Sequence, residues 1–110
     1  MDAELTKSFA FSASYSAGAR ALGRNYIFSV TVPALTEAQE PAFEETVQRE
    51  ILSKVHTRDL GEVDFLRGIA LNDEVLLRAF WKRLAKPLEP YRPKRLSLQR
   101  DARTVTVLHL

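Results

Sequence analysis

Polar and apolar residues alternate in two early runs of the chain. From Leu5 to Tyr15, the positions Leu5, Phe9, Phe11, Ala13 and Tyr15 share one side, and Thr6, Ser8, Ala10, Ser12 and Ser14 share the other. A period of two with one apolar side predicts a half-buried strand. Asn25 to Val32 repeats the pattern, with Tyr26, Phe28, Val30 and Val32 against Asn25, Ile27, Ser29 and Thr31. Pro33 ends that run, because it lacks the donor that a ladder needs. The connection between the runs holds Gly18 and Gly23, which predicts an antiparallel hairpin.

The period then lengthens. Phe43, Val47, Ile51 and Val55 recur every four residues with Leu52 beside them, which predicts a helix over Pro41–Val55. Pro41 suits a first helical turn, and the surrounding Glu residues suit the positive end of the helix dipole. A second helix is predicted over Asp73–Lys86, with Asn72 as N-cap and Val75, Leu76, Ala79, Phe80 and Leu84 as its apolar stripe. Pro87 stops it, and "EPYRPKR" reads as a stiff connector. Arg95–Arg100 and Arg103–Leu108 then read as strands joined by a tight turn at Asp101-Ala102.

Two strands, two helices and two strands predict an α+β layer pair, a four-stranded antiparallel sheet with both helices on one face. The other face collects Ser8, Ser12, Ser14, Ser29, Thr31, Thr104 and Thr106. Such a small, polar face either meets water or lines the inside of a multi-subunit barrel, and period-two patterning fits both.

A length of 110 residues predicts one domain over residues 1–110 with a modest core, which oligomerisation would reinforce. No apolar run approaches the roughly 18 residues of a membrane span. The start "MDAELTKS" lacks a signal-peptide core, so a cytoplasmic location is the expectation. With no Cys, thiolate metal sites and cysteine nucleophiles are excluded. The net charge of +2 hides a segregation. Residues 36–50 hold Glu37, Glu40, Glu44, Glu45 and Glu50 against Arg49. Residues 82–103 hold eight basic residues against Glu89 and Asp101. The basic stretch reads as a solvated surface, as a phosphate-binding surface, or as the counterpart of an acidic segment on another subunit. Nucleic acid is not the expected partner.

Three segments, with the element order, resemble the pyruvoyl-tetrahydropterin synthase family, which includes the 6-carboxytetrahydropterin synthases of the queuosine pathway. "FSASYS" resembles the family's "FSAAH". "LGRNYIFSVTV" resembles "HGHNY" followed by an alternating strand, and "VHTRDLGEVDFLRGIALNDEVLLRAFWKRLA" resembles "LDHRDLN" followed by "PTxEN" opening a helix. The resemblance implies the tunnelling fold, in which ββααββ subunits join sheets edge to edge around a barrel. It implies homo-oligomers, trimers or hexamers, and a pterin- or purine-like ligand.

The same resemblance implies that the family's zinc is absent. Its three His ligands fall at Tyr15, Leu22 and Arg24. Leu offers no donor, Arg stays protonated, and Tyr is an uncommon zinc ligand. The chain holds only His56 and His109. Of the family's proton relay, the Cys position falls near Gly18 and the Asp position is Val55, so His56 alone survives as a catalytic remnant. The alternative for His56 is a helix C-terminal cap or a surface residue. Gln99 stands where the family anchors the pterin with Glu, and Glu74 matches the Glu of "PTxEN". Each is a candidate ligand contact, against an ordinary strand residue and a first-turn helix Glu. Arg24 could hold a carboxylate or triphosphate in place of the metal charge, or pair with a Glu of a neighbouring subunit. The reading is a pterin-synthase-like module without zinc or most of the relay, non-catalytic, for ligand binding or assembly. A metal-free lyase using His56 is the alternative.

Overall fold

The computed structural model of the protein describes the backbone of residues 2–17 and 20–110, with all side chains among them except those at 16, 17 and 20–22. Strands β1 (Glu4–Ala17) and β2 (Arg20–Pro33) form one long antiparallel hairpin, in which Phe9 faces Phe28 and Ser12 faces Asn25. Both strands run further than the alternation predicts. Gly23 is not a turn residue but lies in β2 opposite Ser14, and Gly18 lies outside the described residues. Phe9, Phe11, Ala13, Tyr26, Phe28, Val30 and Val32 are buried on the helix-covered face, as the period of two requires. On the other face Thr6 and Thr31 share a hydroxyl hydrogen bond of 2.7 Å, and Ser8 and Ser29 one of 2.8 Å. Ser12 Oγ donates to Asn25 Oδ1 at 2.6 Å. These pairs satisfy small polar side chains across the strands.

The sheet has five strands, ordered β3-β1-β2-β4-β5, and not the four expected. β4 (Arg95–Gln99) and β5 (Val105–His109) form the second hairpin, and Asp101 Oδ1 accepts from the Arg103 N–H to shape its loop. The added strand, β3 (Arg58–Asp59), is two residues long and pairs parallel to β1 at Ala13 and Ser14. So short a strand carries no periodicity, which is why the pattern conceals it. The face of β5 also needs correcting. Thr106 lies opposite Leu98 and so faces the helices, whereas Val105 and Val107 face outward, 52% and 44% exposed. The open face is therefore less polar than expected, with Ile27 on it at 40% exposure.

The first predicted helix is interrupted. α1 (Glu40–Val47) passes into a π-helical turn (Gln48–Leu52) and then into α2 (Ser53–Val55). Four residues advance an α-helix about 400°, so a strict four-residue repeat drifts off its face by about 40° per step. The wider π turn absorbs that drift, and Phe43, Val47, Ile51, Leu52 and Val55 are all buried. α1 and α2 lie over β1, where Lys7 reaches Glu40 at 2.6 Å and Glu44 at 2.9 Å. Those carboxylates hold the Lys7 ammonium above its ordinary range. α3 (Asp73–Leu84) lies over β4 and β5, capped by Asn72, whose Oδ1 accepts from the Val75 N–H at 2.9 Å.

The two helical layers close on an aromatic centre. The Phe80 ring lies 5.2 Å from Phe28 edge-on, 6.1 Å from Phe11 and 6.2 Å from Phe65. It therefore joins α3 to both strands of the first hairpin. Phe80→Ala should lower unfolding free energy by about 3–5 kcal/mol. Urea denaturation of the wild type and the variant measures this, and a loss under about 1 kcal/mol would show that the core does not centre on this ring.

Candidate functional site

Tyr15 and Arg24, two of the three positions compared with zinc ligands, lie on the helix-covered face at the far end of the first hairpin. Arg24 sits opposite Ala13, two pairs along from Tyr15. Its guanidinium carbon lies 5.8 Å from the centre of the Tyr15 ring, within range of a cation–π contact. The Tyr15 hydroxyl donates to the Leu71 carbonyl at 2.7 Å. Tyr26, the next residue of the row, is buried and stacks on Phe11 with ring centres 5.0 Å apart. Burial pushes its phenol above the ordinary range, and a hydrogen bond from Arg24 pulls partly the other way. Asp73, at the start of α3, completes the cluster with an ion pair of 3.3 Å to Arg100. The space left between Tyr15, Arg24, Tyr26, Leu71 and Asp73 is about 30 Å³. That volume is of the order of one water.

This donor set does not fit zinc. Tyr15 is engaged with a carbonyl, Arg24 is a cation, and the side chain at 22 lies outside the described residues. Among the described residues, no three His, Cys, Asp or Glu side chains cluster as metal ligands.

His56 lies elsewhere. It ends α2, and its Nδ1 accepts from the Ser12 backbone N–H at 3.1 Å. The neutral ring then carries its proton on Nε2. The next residue, Thr57, donates its N–H to the Ser12 carbonyl at 2.6 Å and adopts φ 61°. A β-branched residue in the left-handed region stores roughly 1–3 kcal/mol of strain. Its docking to β1 explains how the strain is held, and it delivers the chain into β3. His56 thus caps the β1 edge while bordering an open depression of about 490 Å³ with Gln48, Ser53 and Arg58.

Glu74 and Gln99 occupy two further places. Glu74 is 65% exposed and pairs with Arg78 one turn along α3 at 3.7 Å, while its neighbour Asp73, 15% exposed, turns toward Arg100. Gln99 lies opposite Ile27 and Val105 on the open face, the reverse side of the sheet from Arg24. Within one chain the four candidates are therefore not convergent. The cluster around Arg24 instead recruits Tyr26, Asp73 and Arg100, which the sequence reading passed over. Tyr26 read as a core aromatic, and Asp73 and Arg100 as a first-turn acid and a member of a basic run. Their separation of 27 residues gave no local signal of a pair.

No family model matches the chain, and no curated protein matches it in sequence. Among solved structures, the chain is similar to 6-pyruvoyl tetrahydropterin synthase of Caenorhabditis elegans, with a TM-score of 0.74 at 10% identity. The match covers 100% of this chain and 96% of that one. At that identity the likeness is one of fold: the protein has a pterin-synthase-like α+β architecture.

The Tyr26 environment sets a pH dependence. Its folded phenol titrates above the unfolded value of about 10, so the folded state keeps the proton longer. That stability is fully present below pH 10 and is lost as pH rises through the folded value. The urea midpoint should fall above pH 10 in the wild type and fall less in Tyr26→Phe. Equal alkaline slopes in the two proteins would contradict the assignment.

Proposed function

We propose that this protein is a non-catalytic, pterin-synthase-like assembly module, a homo-oligomer of three or six copies that has lost the zinc site and most of the proton relay. The observation that carries this reading is the cluster of Tyr15, Arg24 and Tyr26, whose mutual contacts leave a cleft of about 30 Å³ between them. A pterin ring does not enter such a space. A pterin- or purine-like ligand would then be held between copies, where Arg24, Glu74 and Gln99 of different chains would have to converge.

The two sheet edges support assembly. Ser12 turns its backbone N–H and carbonyl away from β2, toward His56 and Thr57. Alternation makes Glu4, Thr6, Ser8 and Ala10 do the same, and among the described residues no strand pairs with them. At the other edge, the bond from the Arg100 N–H to the Thr104 carbonyl fixes the parity of the hairpin. Val105, Val107 and His109 accordingly point their backbone groups outward. Exposed edges invite a further strand, and β5 of one copy can take β1 of the next in antiparallel register. That pairing would carry the half-exposed Ile27, Val105 and Val107 into a shared interior.

A second reading rests on the depression beside His56. There the imidazole Nε2 is left outside the bond to Ser12, and a metal-free lyase would use it as acid or base. Pterin side-chain turnover abolished by His56→Ala is the sign of this reading, and no turnover by the wild type ends it.

Light scattering on a size-exclusion column should give the mass of a trimer or hexamer at micromolar protein, and added zinc should leave the melting temperature unchanged. A monomer across the concentration range overturns the assembly reading. Stoichiometric zinc with a raised melting temperature overturns the loss of the metal site.

A further inference from the structure

A shallow groove of about 360 Å³ lies on the outer side of α3 at the β5 edge. Ile69, Val75, Ala79, Trp81 and Leu108 line it, and Arg78 and Lys82 stand at its rim. Ile69 is 42% exposed, and Trp81 only partly packed against the core. A large aromatic in an apolar groove with a cationic rim is the composition of a contact centre.

At the opposite edge of the same layer, α1 presents the complementary surface. Ala38, Pro41, Ala42 and Glu45 are exposed and spaced by three and four residues, so they share one side of the helix and its lead-in, with Glu37 beside them. The acids Glu37, Glu40, Glu44 and Glu45 outweigh the single Lys7 that reaches two of them. The helix directions also match. α1 starts over Lys7 and leads through α2 to His56 at Ser12, so it runs with β1. α3 starts beside Arg100 and passes Trp81 near Leu108, so it runs the other way. The starting level of α1 is the level of the groove, because Lys7, Val30, Leu96 and Leu108 form one row across the sheet.

From these positions we infer that the α3 groove receives the α1 face of a second copy of this chain, closing the helix layer over the β5–β1 seam. This rests on the assembly reading above. In the antiparallel alignment the level of Lys7 dictates, Pro41 comes beside Lys82 and Trp81. Four-residue steps then set Glu37 against Lys86, Glu45 against Arg78, and Arg49 against Glu74. Each of these three pairs joins opposite charges, and the small apolar residues of α1 fall over the apolar floor beside Lys82. The segregation of acidic and basic segments along the chain is, on this account, the two halves of one contact. Such complementarity also selects direction, since a parallel approach would bring Arg49 toward Lys82 and Lys86.

The test is a charge swap read by sedimentation velocity over a dilution series at low salt. Glu45→Arg and Arg78→Glu should each raise the dissociation midpoint by roughly tenfold, and the double variant should return most of the way to wild type. Val107→Pro serves as the edge control, because it removes an outward N–H from β5 without breaking the β4 ladder. Far-UV circular dichroism of each variant separates a lost contact from a lost fold. If the single swaps assemble like wild type while Val107→Pro dissociates, the edges pair but the helices do not meet, and this inference is overturned alone. A double variant no better than the singles overturns it as well. A wild type that is monomeric throughout overturns the assembly reading and this contact with it.

Discussion

The register of the β1–β2 hairpin is the constraint on which the rest of the structure depends. Fourteen residue pairs lock the two strands, and a slip by one would turn the rings of one strand, Phe9 and Phe11 or Tyr26 and Phe28, to the open side. Only in the observed register do these rings form a floor on which α3 can set Phe80. The hydroxyl pairs Thr6–Thr31 and Ser8–Ser29 reinforce it from the other face, since a shifted strand would part them. Packing on one side and hydrogen bonding on the other thus specify the same alignment.

The same register places the side chains of the candidate site. Tyr15, Arg24 and Tyr26 share the helix-covered face with the core aromatics, at the end of the hairpin where α3 begins. A metal there would need several neutral or anionic donors aimed at one point. This chain supplies a phenol committed to the Leu71 carbonyl and a guanidinium lying over that phenol's ring. Asp73 finds its positive partner in Arg100. These contacts join the hairpin, the start of α3 and the end of β4.

Strong, long periodicities made most of the architecture legible. The alternation in β1 and β2 and the apolar spacings of α1 and α3 each predict the element found, because burial on one face demands those periods. What escaped the pattern has physical reasons. β3 is two residues long and owes its place to the docking of His56 and Thr57 on Ser12. The side each residue of β5 faces depends on the loop held by Asp101, which shifts the strand start to Val105. The π turn follows from a four-residue repeat that an α-helix cannot keep. The pairing of Asp73 with Arg100, and of Arg83 with Glu50 at 3.1 Å, joins residues far apart in sequence. The likeness of fold stands at only 10% sequence identity.

The strained docking of Thr57 has a consequence for encounters between molecules. By fastening to Ser12 and leading into β3, it leaves β1 open from Glu4 to Ala10 and blocked at Ser12–Ser14. An approaching strand therefore meets a fixed end-stop and cannot slide along the full fourteen residues of the edge. A slippery, indiscriminate template becomes a short socket with one seated position, and the chain is shielded from the runaway stacking to which a long bare strand is prone.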